Sequence, residues 1–346
     1  MADLAERIGQ HTIRLTRPPR VIAHAGLGGK KEKEGPLGNT FDCTFDDVTF
    51  GVPSWEQAEQ TLLRTALDMA AAKAKLPLHA LDLILAGDLQ NQCTASSFAL
   101  CSSGVPFCGM YGACSTMALT LAVSALLLDG GACRTAAAAT GSHFCTAERQ
   151  FRKPLEYGGQ RTPTAQWTVT GAGAAILSAT GGRNDPRITH VHFGTITDLG
   201  ITDATNMGAA MAPAAAKTIG DFLRDTHTTP RDYDLILTGD LGFIGSELLL
   251  DLLRRDGFDL SGVHNDCGCM IYDRDAQDVH AGGSGCGCSA SVLCSHILDL
   301  MRCGNYKRVL FAATGALLSA TSALQGKTIP GIAHAVLFEQ ETEETI

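Results

Sequence analysis

The sequence has little positive charge and no long apolar run, and each shortage excludes a class of protein. Its 27 Lys and Arg residues face 36 Asp and Glu residues, which gives a net charge of −9. A nucleic-acid surface needs a basic patch, and anchoring to acidic lipids needs a polybasic segment. No uncharged apolar run reaches the ~18 residues that a membrane-spanning helix needs. We therefore expect no nucleic-acid partner and no transmembrane helix.

Targeting and cofactor motifs are also missing. The first residues lack the basic and apolar regions of a secretory signal. Without an oxidising compartment, the 13 cysteines are interpreted as small buried residues and not as a disulfide framework. The CxC pairs at 267–269 and 286–288 differ from the CxxC spacing typical of structural zinc sites. No GxGxxG or P-loop motif occurs, so we expect no metal held by the protein alone and no cofactor.

The sequence contains an internal duplication. The segment DLILAGDL at 82–89 recurs as DLILTGDL at 234–241, and residues 112–142 align with 286–316 without a gap. Units of this length are too long for a solenoid repeat. The duplication predicts two α/β halves, 1–185 and 186–346, separated near the turn-forming segment 181–187. In such folds ligands bind where strands turn into helices.

Apolar periodicity locates the main elements of the two halves. Continuous apolar runs of strand length predict buried strands, and longer runs predict buried helices. The predicted strands are 81–86, 135–139, 235–238 and 309–313, and the predicted buried helices are 115–128 and 289–301. We interpret residues 1–20 as an irregular start and residues 142–161 as a long polar loop.

Cys114 is the first candidate for chemistry because it lies on a predicted strand-to-helix turn. The amides and dipole of a helix N-terminus stabilise a thiolate and lower its pKa. The same amides can receive an oxyanion, which suits a nucleophilic cysteine. The alternative is a buried structural cysteine. His143 and His264 lie in loops that can face Cys114 in a duplicated fold, and each could instead be a structural histidine.

A basic segment and a glycine-rich turn complete the set of candidate residues. Arg149, Arg152 and Lys153 form a local cluster of positive charge in an acidic protein. Guanidinium groups suit carboxylates and phosphates, although such a segment could also be a solvated charged loop. Gly283 and Ser284 lie in the glycine-rich turn that precedes the second buried helix.

Several motifs together resemble those of a known family. They are GPLG at 35–38, LAGDL at 85–89, GACST at 112–116, TAERQFR at 146–152, DLGITD at 198–203, HNDCG at 264–268, AGGSGC at 281–286 and AHAV at 333–336. The sequence resembles the thiolase superfamily and, more closely, the stage V sporulation protein AD family of spore-forming bacteria. The resemblance implies two βαβαβαββ halves that form a five-layer αβαβα sandwich.

The resemblance also implies a function. Members of the family bind dipicolinic acid in the spore's dipicolinate channel system, in uptake during sporulation and in release at germination. The implied partners are dipicolinic acid, with Ca²⁺ accompanying it, and the membrane proteins of the channel. The implied location is peripheral, at the spore inner membrane. Because thiolase-fold enzymes usually dimerise through a central strand, a homodimer is also implied.

The sequence departs from the condensing enzymes at one position of their catalytic set. These enzymes pair the nucleophilic cysteine with two residues from His and Asn. His264 matches the second-half His, but the later Asn position falls in 282–288, which contains no Asn. Without that donor, stabilisation of an enolate is incomplete. The resemblance therefore implies a non-catalytic pocket in which Cys114 and His264 are vestiges of the nucleophile site.

In this interpretation dipicolinate binds in the former nucleophile site. Amides at Cys114 would meet one carboxylate, and Arg149, Arg152 or Lys153 would meet the other. His143 or His264 would donate a hydrogen bond. Two alternatives stay open at this point: a thioester acyl-transferase or condensing enzyme that uses Cys114 as nucleophile, and a scaffold that uses only its surfaces.

Overall fold

The computed structural model describes residues 5–151 and 161–341. Its strands, in chain order, are β1 Glu6–Ile8, β2 Thr12–Arg14, β3 Arg20–Gly28, β4 Cys43–Thr44, β5 Leu83–Gly87, β6 Phe107–Gly109, β7 Thr135–Ser142, β8 Trp167–Thr168, β9 Gly171–Ser178, β10 Arg187–Phe193, β11 Leu235–Thr238, β12 His264–Asp266, β13 Gly283–Ser284, β14 Arg308–Ala316 and β15 Gly331–Glu339.

The helices alternate with these strands. They are α1 Lys30–Lys33, α2 Trp55–Lys73, α3 Thr94–Leu100, α4 Thr116–Asp129, α5 Phe144–Phe151, α6 Met207–Thr226, α7 Gly242–Arg255, α8 Cys267–Met270, α9 Cys286–Val292, α10 Leu298–Arg302 and α11 Ala320–Leu324. A π-helical stretch, Leu293–Ile297, joins α9 to α10, and short 3₁₀ turns lie at Leu78–Ala80, Asn91–Cys93 and Pro230–Asp232.

The strands form two five-stranded sheets with the same order. The first is β6-β5-β7-β9-β3 and the second is β12-β11-β14-β15-β10. In each sheet the first three strands are parallel and the remaining two are antiparallel to their neighbours. One pair, Arg187 with Arg20, joins the two sheets edge to edge. The duplicated α/β fold is confirmed, while the division of the chain at 185/186 stays a prediction.

Three apolar cores separate five layers. One core lies between α2 and the first sheet, and another lies between α6, α7 and the second sheet. The third lies between the sheets and contains α4, α9 and α10. Helix α4 fits this central layer because it is apolar on every side, as buried helices are. The predicted αβαβα sandwich is therefore confirmed.

Glycines allow the central helix α9 to approach the first sheet closely. A Cβ atom at Gly173 on β9 would lie 2.2 Å from the carbonyl oxygen of Ala290. A Cβ atom at Gly26 on β3 would lie 2.6 Å from the carbonyl oxygen of Ser291. Both distances are far below van der Waals contact. The segment 171–173 therefore starts strand β9, which lies under α9.

The N-terminal residues are more ordered than the sequence suggested. Residues 6–14 form an antiparallel hairpin of β1 and β2, and β2 pairs with β10 of the second half. The Asp225 carboxylate accepts hydrogen bonds from the backbone N–H groups of Gln10, His11 and Thr12. The expectation of an irregular start is wrong for these residues. Their partners lie about two hundred residues away, which no local pattern reports.

The expected loop at 142–161 is also partly wrong. Strand β7 continues to Ser142, and residues 144–151 form helix α5. Ala147 and Phe151 of this helix pack on Leu89, Cys114 and Cys286. Because the segment contains many polar residues, its sequence does not show this apolar face. The predicted binding residues Arg152 and Lys153 lie outside the residues that the structure describes.

Candidate functional site

A tight turn places Cys114 at the start of the buried helix α4. The Ser115 N–H donates to the Gly112 carbonyl oxygen at 3.0 Å, and the Thr116 hydroxyl donates to the Ala113 carbonyl oxygen at 2.6 Å. Ala113 has a φ of +51°, in the left-handed region that non-glycine residues rarely adopt. Such strain is typical of functional turns. The predicted position of Cys114 at a strand-to-helix turn agrees with this geometry.

A glycine of the second half, Gly315, packs directly against this turn. A Cβ atom at Gly315, at the end of β14, would lie 2.5 Å from the Gly112 carbonyl oxygen and 3.1 Å from the Ser115 nitrogen. Gly315 is therefore needed for the second sheet to pack against the turn. The site is built from both halves of the duplication.

The environment of Cys114 favours the neutral thiol. The side chain is buried, and the carboxyl group of Asp240 lies beside it. Burial, followed by the charges of Asp240 and Cys286, raises the pKa of the Cys114 thiol well above its ordinary range. The sequence suggested the opposite direction because a helix N-terminus lowers a thiol pKa. Here desolvation outweighs the helix.

Asp240 organises the polar groups that the second half of the chain brings to Cys114. Its carboxylate accepts hydrogen bonds from the Thr314 hydroxyl at 2.6 Å, the Ser284 hydroxyl at 3.1 Å and the Gly285 N–H at 3.1 Å. Burial raises the pKa of Asp240, and these donors oppose that shift. The Gln166 side-chain amide also donates to the Asp240 backbone carbonyl at 2.6 Å.

A cleft, here called the elbow cleft, opens above Cys114. Its volume is about 720 Å³ with the open mouth included. The described residues that line it are Leu89, Tyr111, Ala113, Cys114, Ala147, Glu148, Phe151, Ala165, Gln166, Thr168, Ala204, Thr205, Met207, Ser284, Ala316 and Leu318. Within this set there is no histidine, lysine or arginine.

The two predicted histidines make their hydrogen bonds away from the described lining of the elbow cleft. His143 Nε2 donates to the Val48 carbonyl oxygen at 2.7 Å, and His143 Nδ1 accepts from the Cys145 N–H at 3.2 Å. His264 Nε2 lies 3.0 Å from the Thr238 hydroxyl on strand β11. Burial lowers the pKa of His143 and lowers the pKa of His264 to about 4. Their roles in binding stay predictions.

The structure brings Ser284 and Cys114 together in the elbow cleft, with Gly283 behind them. The Gly283 carbonyl oxygen accepts from Gln166 Nε2 at 3.0 Å. Arg149 forms an ion pair with Glu56 and lies over the ring of Trp55, 5.0 Å from its centroid. Arg149 is thus placed on the α2 side of helix α5, outside the described lining.

Sequence reasoning missed Asp240, Gln166 and Glu148. Asp240 had a visible signal, because it occupies the second copy of the repeated GDL motif at 239–241. Gln166 had none, since its role depends on the carbonyl oxygens that it meets in the second half. Glu148 lines the elbow cleft and forms an ion pair with Arg161 at 3.4 Å. Both partners of that pair are largely buried.

The described part of the chain has neither a metal-binding cluster nor a membrane-spanning helix. No group of three or more His, Cys, Asp or Glu side chains there is placed to hold a metal ion. No helix there has the length and apolar character needed to cross a membrane.

The fold and the turn that carries Cys114 define the class: this is a protein with a thiolase-like α/β fold. The structure is similar to 3-oxoacyl-[acyl-carrier-protein] synthase III from Aquifex aeolicus VF5, with a TM-score of 0.56 and 12% identity over 93% of this chain and 99% of that chain. It is also similar to human mitochondrial 3-ketoacyl-CoA thiolase in complex with CoA, with a TM-score of 0.58 and 12% identity over 99% and 100%. At such identities the likeness shows the fold alone.

The sequence places the chain more narrowly within this class. Residues 9–339 match the family model of stage V sporulation protein AD (SpoVAD). The chain is 49% identical to stage V sporulation protein AD of Bacillus subtilis (strain 168), over 96% of this chain and 97% of that protein. The chain belongs to the stage V sporulation protein AD family.

Proposed function

We propose that this protein binds dipicolinic acid in the elbow cleft without catalysing a reaction. The observation that carries the proposal is the environment of Cys114. The strained turn and the cleft of a thiolase-like site are present, while a buried carboxyl group lies beside the thiol. A nucleophilic cysteine needs the thiolate and a neighbouring base. Here burial and Asp240 raise the pKa of Cys114 and oppose thiolate formation.

The elbow cleft suits a flat aromatic ligand. Most of its described lining is apolar, as is usual for small-molecule sites, and its polar groups are Cys114, Glu148, Gln166, Thr168, Thr205 and Ser284. Glu148 is paired with Arg161. The positive end of the α4 dipole points toward Cys114 and favours a carboxylate there. We propose that Arg152 and Lys153, which follow Phe151 in the chain, contact the second carboxylate.

The proposal includes calcium and membrane partners. In this proposal calcium arrives chelated by dipicolinate. The protein acts at the spore inner membrane beside the membrane proteins of the dipicolinate channel. In that setting it would bind dipicolinate during uptake in sporulation and during release in germination. Family membership supports this part of the proposal.

Calorimetric titration with dipicolinate tests the proposed site. We expect saturable binding by the wild type and a loss of at least about tenfold in affinity for Cys114→Phe, because the ring would fill the cleft. Titrations with and without Ca²⁺ would show whether the chelate is the preferred ligand. Cys303→Phe is the matched control, since Cys303 is exposed and outside the described lining.

The same experiment separates binding from acyl transfer. Circular dichroism would verify that both variants are folded. Failure of the wild type to bind dipicolinate, together with rapid stoichiometric acylation of Cys114 by an acyl-CoA, would overturn the proposal in favour of a thioester acyl-transferase. Equal affinities of wild type and Cys114→Phe would move the ligand away from the elbow cleft.

We also propose a homodimer that forms through strand β6. This strand ends the first sheet in the described part of the chain, and all three of its residues are exposed. No charged residue occurs between Asp88 and Asp129, although exposed edge strands are usually protected by charge. Exposed Phe98 and Phe107 belong to this uncharged segment. Antiparallel pairing of two β6 strands would cover the edge symmetrically.

A single charge should break this dimer. We expect Phe107→Lys to shift the wild-type dimer to monomer, because two lysines would meet near the two-fold axis. Sedimentation velocity measures the change. Leu324→Lys serves as control, since Leu324 is 90% exposed on another element. A wild-type protein that is monomeric at every concentration tested would contradict the proposal.

A further inference from the structure

A second cleft lies beside the elbow cleft, across strand β8. Successive side chains of a strand point to opposite faces. Thr168 of β8 lines the elbow cleft and Trp167 lines the second one. We call the second one the lysine cleft; its principal lining residues are Lys30, Lys31, Phe50, Phe144, Trp167 and Thr170. Its volume is about 660 Å³ with the open mouth included.

Flat aromatic surfaces form one side of the lysine cleft. The rings of Phe144 and Trp167 are stacked, with centroids 3.9 Å apart and planes 9° from parallel. Lys31 Nζ lies 3.9 Å from the Trp167 ring centroid and donates to the Asp278 carbonyl oxygen at 3.2 Å. Lys31 is therefore held against the aromatic wall and is half-buried. Phe144 and Lys31 cover the two faces of Trp167, so a planar ring with a negative charge at its edge would meet the Lys31 ammonium group beside the stacked rings.

The acidic side chains at the lysine cleft have other partners or face water. Asp47 accepts from the backbone N–H groups of Thr49 at 2.8 Å and Phe50 at 2.7 Å, and Glu34 is exposed. Glu32 is buried in the floor, where it accepts from the Thr170 N–H at 3.0 Å and from the Tyr272 hydroxyl. Burial raises the pKa of Glu32, and these hydrogen bonds oppose that shift.

The two clefts differ in the cationic groups that they offer, although the acidic side chains of the lysine cleft outnumber its lysines. The described lining of the elbow cleft contains Glu148 and no lysine or arginine. The lysine cleft presents two ammonium groups, from Lys30 and Lys31, next to stacked rings. For a planar dianion, ammonium groups at the site supply charge-assisted hydrogen bonds. The lysine cleft therefore supplies the ammonium groups that the described lining of the elbow cleft lacks.

We propose that the lysine cleft is a second binding site for a planar aromatic carboxylate. The ligand ring lies beside the stacked rings of Phe144 and Trp167, and its carboxylates pair with Lys30 and Lys31. The choice of dipicolinate as probe rests on the proposed function, but the residues of this cleft do not overlap the elbow cleft. A protein with two adjacent sites for one ligand can pass it from one site to the other.

Tryptophan fluorescence tests this site directly. The chain has two tryptophans, Trp55 and Trp167, so Trp55→Phe leaves Trp167 as the sole reporter. Titration with dipicolinate, excited at the red edge of the tryptophan band, should give saturable quenching. The double variant Lys30→Gln/Lys31→Gln should weaken the apparent affinity at least about tenfold. Lys33→Gln on the same helix is the control, because Lys33 pairs with Asp46.

Two comparisons separate this inference from the proposed function. Quenching of Trp167 that survives in Cys114→Phe, and that the uncharged analogue pyridine-2,6-dimethanol does not cause, supports a separate anion site. Quenching that is unaffected by Lys30→Gln/Lys31→Gln, or that Cys114→Phe alone abolishes, overturns the second site and leaves the elbow cleft as the binding site. Calorimetric binding that the lysine variants abolish and Cys114→Phe does not would overturn the elbow cleft and retain the lysine cleft.

Discussion

Gly173→Val is expected to prevent stable folding. A Cβ atom at this position would lie 2.2 Å from the Ala290 carbonyl oxygen and 2.4 Å from its carbonyl carbon. Both are backbone atoms of the central helix α9, which has a sheet on either side and no room to move. Because interiors are close-packed, we expect a loss of roughly 4 kcal/mol or more in the free energy of unfolding. Soluble yield and thermal unfolding followed by circular dichroism measure the effect.

Gly182→Val is the matched control for this experiment. An added Cβ at Gly182 would come no closer than 3.4 Å to another atom, Asp185 Oδ2, and Gly182 lies in an exposed turn. Its midpoint of thermal unfolding should stay near that of the wild type. A Gly173→Val protein with a wild-type midpoint would show that α9 does not lie this close to β9.

Glu59→Gln is expected to make the protein less sensitive to alkaline pH. Glu59 is buried on α2, accepts from Gln90 Nε2 at 2.9 Å and from the Thr146 hydroxyl, and lies near Asp88. Burial, followed by the charge of Asp88, raises the pKa of Glu59 from its ordinary 4.5 to about 8. The folded state therefore keeps a proton that the unfolded state has lost between these pH values.

The sign of the effect follows from this proton. The contribution of Glu59 to stability is complete below about pH 4.5 and disappears as the pH rises through 8. Each unit of pKa shift corresponds to about 1.4 kcal/mol. An amide does not titrate, so the variant should gain a few kcal/mol relative to the wild type between pH 5 and pH 8. Urea unfolding at a series of pH values measures this difference.

Glu56→Gln on the same helix provides a control of opposite sign. Burial raises the pKa of Glu56, but the ion pair with Arg149 outweighs it and the pKa is lowered. The contribution of this group is therefore present above its unfolded pKa and is lost as the pH falls. Parallel curves of stability against pH for wild type and Glu59→Gln would show that the pKa of Glu59 is not raised in the folded protein.

The duplicated core could be predicted because its signal is local. The run 235–238 is continuously apolar, and the structure has a strand at Leu235–Thr238. The predicted helix 115–128 differs from Thr116–Asp129 by one residue at each end. In contrast, the sequence did not predict α5. Its apolar face consists of Ala147 and Phe151, and this face can be recognised only from its contacts with Leu89 and Cys286. Tertiary contacts decided that segment.

The candidate site was likewise predictable only where the signal is local. Cys114 and Ser284 could be placed at turns because glycines and helix starts mark such turns in the sequence. The hydrogen bonds of His143 with Val48 and of His264 with Thr238 depend on contacts between elements that no spacing reveals. The direction of the Cys114 pKa also depended on burial and on Asp240, which comes from the other half.

The pairing of β2 with β10 has a consequence for synthesis on the ribosome. Thr12 emerges early, but its partners His192 and Asp225 are translated much later. At roughly 5–20 residues per second, the first strand waits on the order of ten seconds or more before its partner exists. Long-range pairing of this kind slows folding. The second sheet therefore closes on a strand that was made first and that has only its hairpin partner β1 during the interval.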